Sequence, residues 1–386
     1  MEQNVTTILF ALLRSAVCGT KLTGQERAQY SPGMLPELLR MASKHDVAHL
    51  LVVGLKKNDL LTKEDAKLEA YILKAVYRYE RMRYAYEDIC NVLEEARIPF
   101  IPLKGSVIRD YYPEPWMRTS CDIDVLVHEE DTGKAEAYLL EAGYTRGEDA
   151  TTHDYCYYSP RHIHVELHYT LTQENFTVAN NALTDVWQYV TPVRDGSWCY
   201  AMEPEYFLLY HLAHMAKHIL HGGCGLRPFL DLWLLEHKMP YDKEKCRRLL
   251  ENTKLWTFSG AAKDLSCVWL ESAEHTPRTW ALSNYIMTGG VYGTTENSAQ
   301  MKAARGESKA KSFWDLVFLS RESLAVLYPI LKTRPYLYPL YQVKRWFRIF
   351  DRRKRHKIRY LTRMRICVST DEIRDAQTLL ASLGLD

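Results

Sequence analysis

The stretch Asp122-Ile123-Asp124-Val125-Leu126-Val127 limits what this chain can fold into more than any other. Alternating acidic and apolar residues read as a β-strand, because successive strand side chains point to opposite faces. Ile123, Val125 and Val127 then take one face, while Asp122 and Asp124 share the other. Neighbouring carboxylates raise each other's pKa and cost folding energy unless a cation or hydrogen-bond donors compensate them. A divalent metal is the simplest compensation, and an edge strand with a solvated face is the bland alternative.

Two other stretches bear on that choice. Upstream, Ile98–Leu103 (IPFIPL) reads as a strand that stops at Lys104-Gly105-Ser106 and passes into a helix-like segment, VIRDYY. Such a junction suits an anion. Gly105 lets a phosphate approach the backbone, Ser106 offers a hydroxyl, Lys104 adds a positive charge, and the free N–H groups of the first turn carry positive potential. On its own, though, the triplet is ordinary turn composition. Downstream, RHIHVELHYTL at 161–171 alternates again, with His162, His164, Glu166 and His168 on one face and Ile163, Val165 and Leu167 on the other. If that strand neighbours the 122–127 strand in one sheet, three acids converge.

Residues 98–171 resemble the catalytic core of the polymerase-beta-like nucleotidyltransferases, whose pattern is a helix-opening Gly-Ser, a D-x-D, and a further acid on a later strand. More narrowly, LKGS, RTSCDIDVLV and VELHYTL are similar to a largely uncharacterised bacterial branch. In that branch a Leu-Lys-Gly turn, an Arg shortly before Asp-Ile-Asp, and an acid-x-His strand recur. The resemblance implies an α+β fold, a small mixed β-sheet nucleotidyltransferase core flanked by N- and C-terminal helical regions. It also implies Asp122, Asp124 and Glu166 as catalytic and metal-binding acids. Lys104, Gly105, Ser106, Arg118, His168 and Lys217 become candidate nucleotide contacts, with His218 and Asp231 as further candidates on helices that close over the nucleotide. The implied cofactor is Mg2+ in a two-metal arrangement, with Mn2+ as a substitute, and the implied donor is a nucleoside triphosphate. Hard cations of this kind prefer carboxylate oxygens to thiolates. One departure stands out, since Glu166 occupies a place where Asp is more usual.

A chain of 386 residues has length for two or three domains. Helical patterning over 1–95, the core at 96–203, a helical subdomain at 204–290, a polar linker at 291–311 and a basic, aromatic helical region at 312–386 are the expected divisions. Nine scattered cysteines without a C-x-x-C pair indicate neither a disulfide framework nor a thiolate zinc site. This points to a reducing cytoplasm. The apolar run TILFALLRSAVCG lacks a preceding basic region and reads as an amphipathic helix, and no apolar stretch approaches the roughly 20 residues of a spanning helix.

His211, His214, His218 and His221 recur at spacings of three and four, which invites a zinc reading. A zincin needs Glu directly after the first histidine of its motif, whereas Met215 follows His214. Helix packing is the better expectation. Between Lys332 and Arg365, 13 Lys and Arg face the single acid Asp351, interleaved with Trp346, Phe347, Phe350 and Tyr360. That segment suits an anionic membrane surface, with nucleic acid as a weaker alternative and a solvated helix face as the bland one. Three functional classes follow. The first is a nucleotidyltransferase acting on a small molecule, glycan or protein; the others are a nucleotide-binding protein without turnover and a basic adaptor.

Overall fold

The computed structural model of the chain describes residues 2–150, 153–172, 183–291, 293–306, 317–321, 324–325, 328, 330–349 and 368–386. Its α+β architecture is organised around one five-stranded sheet. Strands β1 (Phe100–Pro102), β2 (Asp122–Val127), β3 (Thr145–Ala150), β4 (Asp154–Tyr158) and β5 (His164–His168) lie in the order β1-β2-β5-β4-β3. β2 runs parallel to β5, and the other neighbours are antiparallel. A parallel pair needs a long crossover. Helix Thr132–Glu141 and the β3–β4 pair fill it.

One face of the sheet is dry. Ile123, Val125, Val127, Val165 and Leu167 are buried against Ile89 and Leu93 of the long helix Glu69–Glu95 and against Ala135 and Leu139 of the crossover helix. Complete burial of each branched side chain contributes about 1.5–3 kcal/mol. This fixes the register, because a slip of one residue would turn the acids into the apolar core and the aliphatics onto the polar face. His162, expected on the polar face of β5, instead sits in the preceding turn with φ 58°. A short pair, β6 (Val190–Pro192) and β7 (Tyr200–Met202), flanks the sheet.

The helices before and after the sheet share a second core. The N-terminal helix Glu2–Cys18 packs on Ala48–Lys57 so closely that a Cβ at Gly54 would lie 2.2 Å from the Leu12 carbonyl oxygen. Leu9, Leu12 and Leu13 join Leu51, Leu208, Leu232, Leu265 and Leu380 in that core, drawing in helices Pro204–Leu220, Arg227–Lys238, Trp256–Glu271 and Thr370–Leu383. The apolar run at 34–57 is two helices, Leu35–Lys44 and Ala48–Lys57, parted at Asp46, whose φ of 55° no α-helix accommodates. Within the stretch read as a polar linker lies helix Thr295–Ala304, capped by the Thr294 hydroxyl and anchored by buried Ala299 and Met301. Among the described residues no helix is long and apolar enough to cross a membrane. Of the basic segment, helix Tyr338–Ile349 is described, while residues 350–367, with Phe350 and Tyr360, lie outside the described residues.

Candidate active site

The polar face of the sheet forms one wall of a cavity of about 370 Å³, and the helices after the sheet form the other. Parallel register sets Asp124 beside Glu166 and Asp122 beside His164. The three acids therefore converge, as the alternation of the two strands predicts. His168, one strand period beyond Glu166, places Nε2 2.9 Å from Asp124 Oδ1 and 3.4 Å from Glu166 Oε2. Lys104 donates from Nζ to the same Asp124 oxygen at 2.7 Å.

These contacts divide the two aspartates. Burial works against a charged Asp124, yet Lys104 and His168 outweigh it and hold the carboxyl far below its ordinary range. Asp122 behaves in the opposite way. Burial and then the nearby Asp124 push its pKa up, and its carboxylate has no hydrogen bond or ion pair among the described residues. Burial likewise opposes a charge on His168, but the bonds to Asp124 and Glu166 keep its pKa above the usual imidazole value. Ligating atoms of Asp124, Glu166 and His168 lie within 4.8 Å of one another. With Asp122 beside them, this oxygen-rich donor set fits a hard divalent cation.

The turn after β1 differs from a simple helix-end cradle. Lys104 adopts φ 43° and ψ −117°, and the helix it opens, Gly105–Ile108, is a single turn that continues as a 3-10 turn, Arg109–Tyr111. A positive φ at a lysine is strained and persists only where the surroundings impose it. Here the strain accompanies the ion pair with Asp124. Gly105 serves a purpose not visible in the sequence, since a Cβ there would lie 2.6 Å from a guanidinium nitrogen of Arg118. Arg118 in turn is spent on Asp231 at 2.9 Å, in a pair whose aspartate is fully buried and also accepts from the Tyr112 hydroxyl at 2.7 Å. Ser106 is not part of the cavity wall, and its buried hydroxyl has no hydrogen-bond partner among the described residues. The cavity does bring together Lys104, Gly105, Arg118, Asp122, Asp124, Glu166, His168 and Lys217.

On the facing wall, Lys217 points a cation toward the acids. Burial, and then repulsion from Lys104, depress its pKa to about 8, and its ammonium has no ion pair among the described residues. The three histidines of helix Pro204–Leu220 pack as expected, and exposed His221 caps its end. His211 bonds the Pro228 carbonyl oxygen at 2.9 Å, His214 and His218 bond each other at 3.1 Å, and His221 bonds the Lys217 carbonyl oxygen at 2.7 Å. Burial, reinforced by Lys217 and Lys104, lowers the His218 pKa to about 3, so the ring is neutral. None of the four joins a metal-competent cluster among the described residues.

Sequence reasoning missed His153 and Asp154. Asp154 opens β4 opposite His168 and His153 precedes it, with His153 Nε2 3.0 Å from Asp154 Oδ2, and the two form a second metal-competent group with His168. The available signal was an aspartate leading an otherwise aromatic strand, HDYCYY.

No curated protein and no solved structure matches the chain. A family model described as an uncharacterised nucleotidyltransferase matches residues 33–269, from helix Leu35–Lys44 through the sheet and cavity to helix Trp256–Glu271. That match spans more than half of the chain, and the protein belongs to this uncharacterised nucleotidyltransferase family.

Proposed function

We propose that the protein transfers a nucleoside monophosphate from a nucleoside triphosphate to an acceptor hydroxyl, with Mg2+ or Mn2+ held by Asp122, Asp124 and Glu166. The observation that carries this reading is the parallel register that sets Asp124 beside Glu166, with Asp122 two residues away on the same face. In the reaction the acceptor oxygen bonds to the α-phosphorus, pyrophosphate leaves, and the acceptor proton passes to Glu166. Divalent ions in such a site stabilise the attacking and leaving oxygens.

The remaining roles follow from what each side chain touches. Glu166 is more exposed than Asp124 and so can reach a substrate hydroxyl. His168 fixes the orientation of both acids. Lys217, whose ammonium has no ion pair among the described residues, and Lys104 at the turn after β1 bind the triphosphate. Arg118, already paired with Asp231, positions the wall behind Gly105. Among the described residues no disulfide joins the cysteines, which fits work in the reducing cytoplasm. A small molecule, a glycan or a protein is the acceptor.

Calorimetry with a nonhydrolysable triphosphate tests the site. Mg2+-dependent binding should vanish in the double variant Asp122→Asn/Asp124→Asn, and unchanged affinity would sink the assignment. Incubation with an α-labelled triphosphate and cell extract, followed by mass spectrometry for a gain of one nucleoside monophosphate, tests turnover and identifies the acceptor. One observation favours a second reading, a nucleotide-binding protein without turnover. The Lys104 ammonium already neutralises Asp124, as a metal would. Triphosphate binding that ignores Mg2+ and yields no product would select it.

A further inference from the structure

Helix Tyr338–Ile349 turns aromatic and polar side chains inward, Tyr341 onto Tyr328 and Trp346 onto Phe318, and leaves aliphatic ones outside. Its polar atoms tie it to the molecule: the Tyr338 hydroxyl donates to the Leu319 carbonyl oxygen, Gln342 donates to the same oxygen at 2.8 Å, and the Trp346 indole donates to the Val317 carbonyl oxygen at 2.6 Å. Gln342 is only 2 % exposed. Leu340 and Val343 point the other way, 62 % and 41 % exposed, and Tyr336 in the turn before the helix is 72 % exposed. At 100° per residue Leu340 and Val343 share the face opposite Tyr338 and Gln342. A surface helix normally does the reverse, burying its apolar stripe.

Charge identifies what covers that stripe. Arg334 and Lys344 are exposed beside it, and the segment from Lys332 to Arg365 carries 13 basic residues against one acid. An apolar face edged by cations matches the boundary between acyl chains and anionic headgroups. Single-stranded nucleic acid is served instead by aromatic stacking platforms. Of the three exposed side chains only Tyr336 carries a ring, and Leu340 and Val343 offer none on which further bases could stack. We propose that this helix lies in the surface of an anionic lipid bilayer and attaches the enzyme there, through Tyr336, Leu340 and Val343 with Arg334 and Lys344 at the edge. The inference is independent of the transferase reading.

Co-sedimentation of the full chain with vesicles of phosphatidylcholine, with and without phosphatidylglycerol, tests it. The protein should partition onto the anionic vesicles, and raising the salt should weaken binding. Leu340→Gln/Val343→Gln should weaken partitioning by about tenfold or more, since each buried apolar side chain adds to interfacial affinity. Both side chains face solvent, so the thermal melt should not move. Should that double variant lose stability, Tyr336→Ser serves as the second probe and should also weaken binding. Wild-type protein that stays in the supernatant with anionic vesicles would overturn the proposal. So would variants that bind as well as wild type, or a single-stranded RNA that binds more tightly than the vesicles.

Discussion

The polar face of β2 and β5 and the histidine helix Pro204–Leu220 line opposite walls of one cavity, and each carries ionisable side chains at regular spacing. They use that spacing differently. On the strands, Asp122, Asp124 and Glu166 are brought together across a parallel pair, and Lys104 and His168 stabilise the charge of Asp124. On the helix, His214 and His218 satisfy each other, His211 bonds a carbonyl oxygen, and burial keeps His214 and His218 neutral. Periodicity places side chains on a face, but whether they act on a ligand depends on what faces them.

The largest expected effect breaks the strand side of this contrast. In the proposed reaction Glu166→Gln removes the acceptor of the substrate proton, and it should slow nucleotidyl transfer by about 100- to 10,000-fold. Steady-state rates with a labelled triphosphate measure it, and a variant within a few-fold of wild type would remove Glu166 from the chemistry. Comparable in energy is Asp231→Ala, which leaves the Arg118 guanidinium buried and unpaired. Losing one partner of such a pair typically costs about 3–5 kcal/mol, visible as a lower denaturant midpoint.

Lys217 gives a smaller, pH-dependent effect. Its pKa near 8 means that the ammonium loses its proton as pH rises through that value, so triphosphate affinity should fall between neutral and alkaline pH. Lys217→Met should flatten that profile. Stability runs the other way. Above the folded pKa the unfolded chain still binds the proton, so this residue's contribution to stability rises with pH until the ordinary lysine range is reached. A wild-type binding profile that is flat across alkaline pH would deny Lys217 contact with the phosphates.

Smaller still, His214→Gln should leave transfer within about threefold of wild type, with a stability loss of about 1 kcal/mol from the broken hydrogen bond. A loss as deep as that of Glu166→Gln would erase the contrast between the two walls. The least effect is a gain. Asp122→Asn removes a carboxylate whose charge the fold disfavours, and should raise stability at neutral pH by up to about 1 kcal/mol while abolishing metal-dependent binding.

Much of the acid wall was legible in the sequence because strand alternation is local. Asp122 and Asp124 declare their shared face within three residues, and Glu166 does so within its own strand. The long helix was readable for the same reason. What could not be read was partnership across distance. Arg118 meets Asp231 across 113 residues of chain, and nothing near either one announces the other. Gly105 looked like space for a phosphate, and only the fold reveals the guanidinium that fills it. His153 and Asp154 escaped notice because their value comes from pairing opposite His168, a matter of register.

The parallel pairing of β2 with β5 also bears on when the site exists during folding. Asp124 and His168 are 44 residues apart, separated by a helix and two strands, so their contact closes a long loop. Long-range parallel pairing forms slowly, because chain entropy is lost before the contact gives anything back. Repulsion among the carboxylates is therefore felt only once that pairing forms, and the early collapse of the chain does not meet it. Charge changes at Asp122, Asp124 or Glu166 should then divide between the refolding and unfolding rates according to how far the pairing has formed in the transition state.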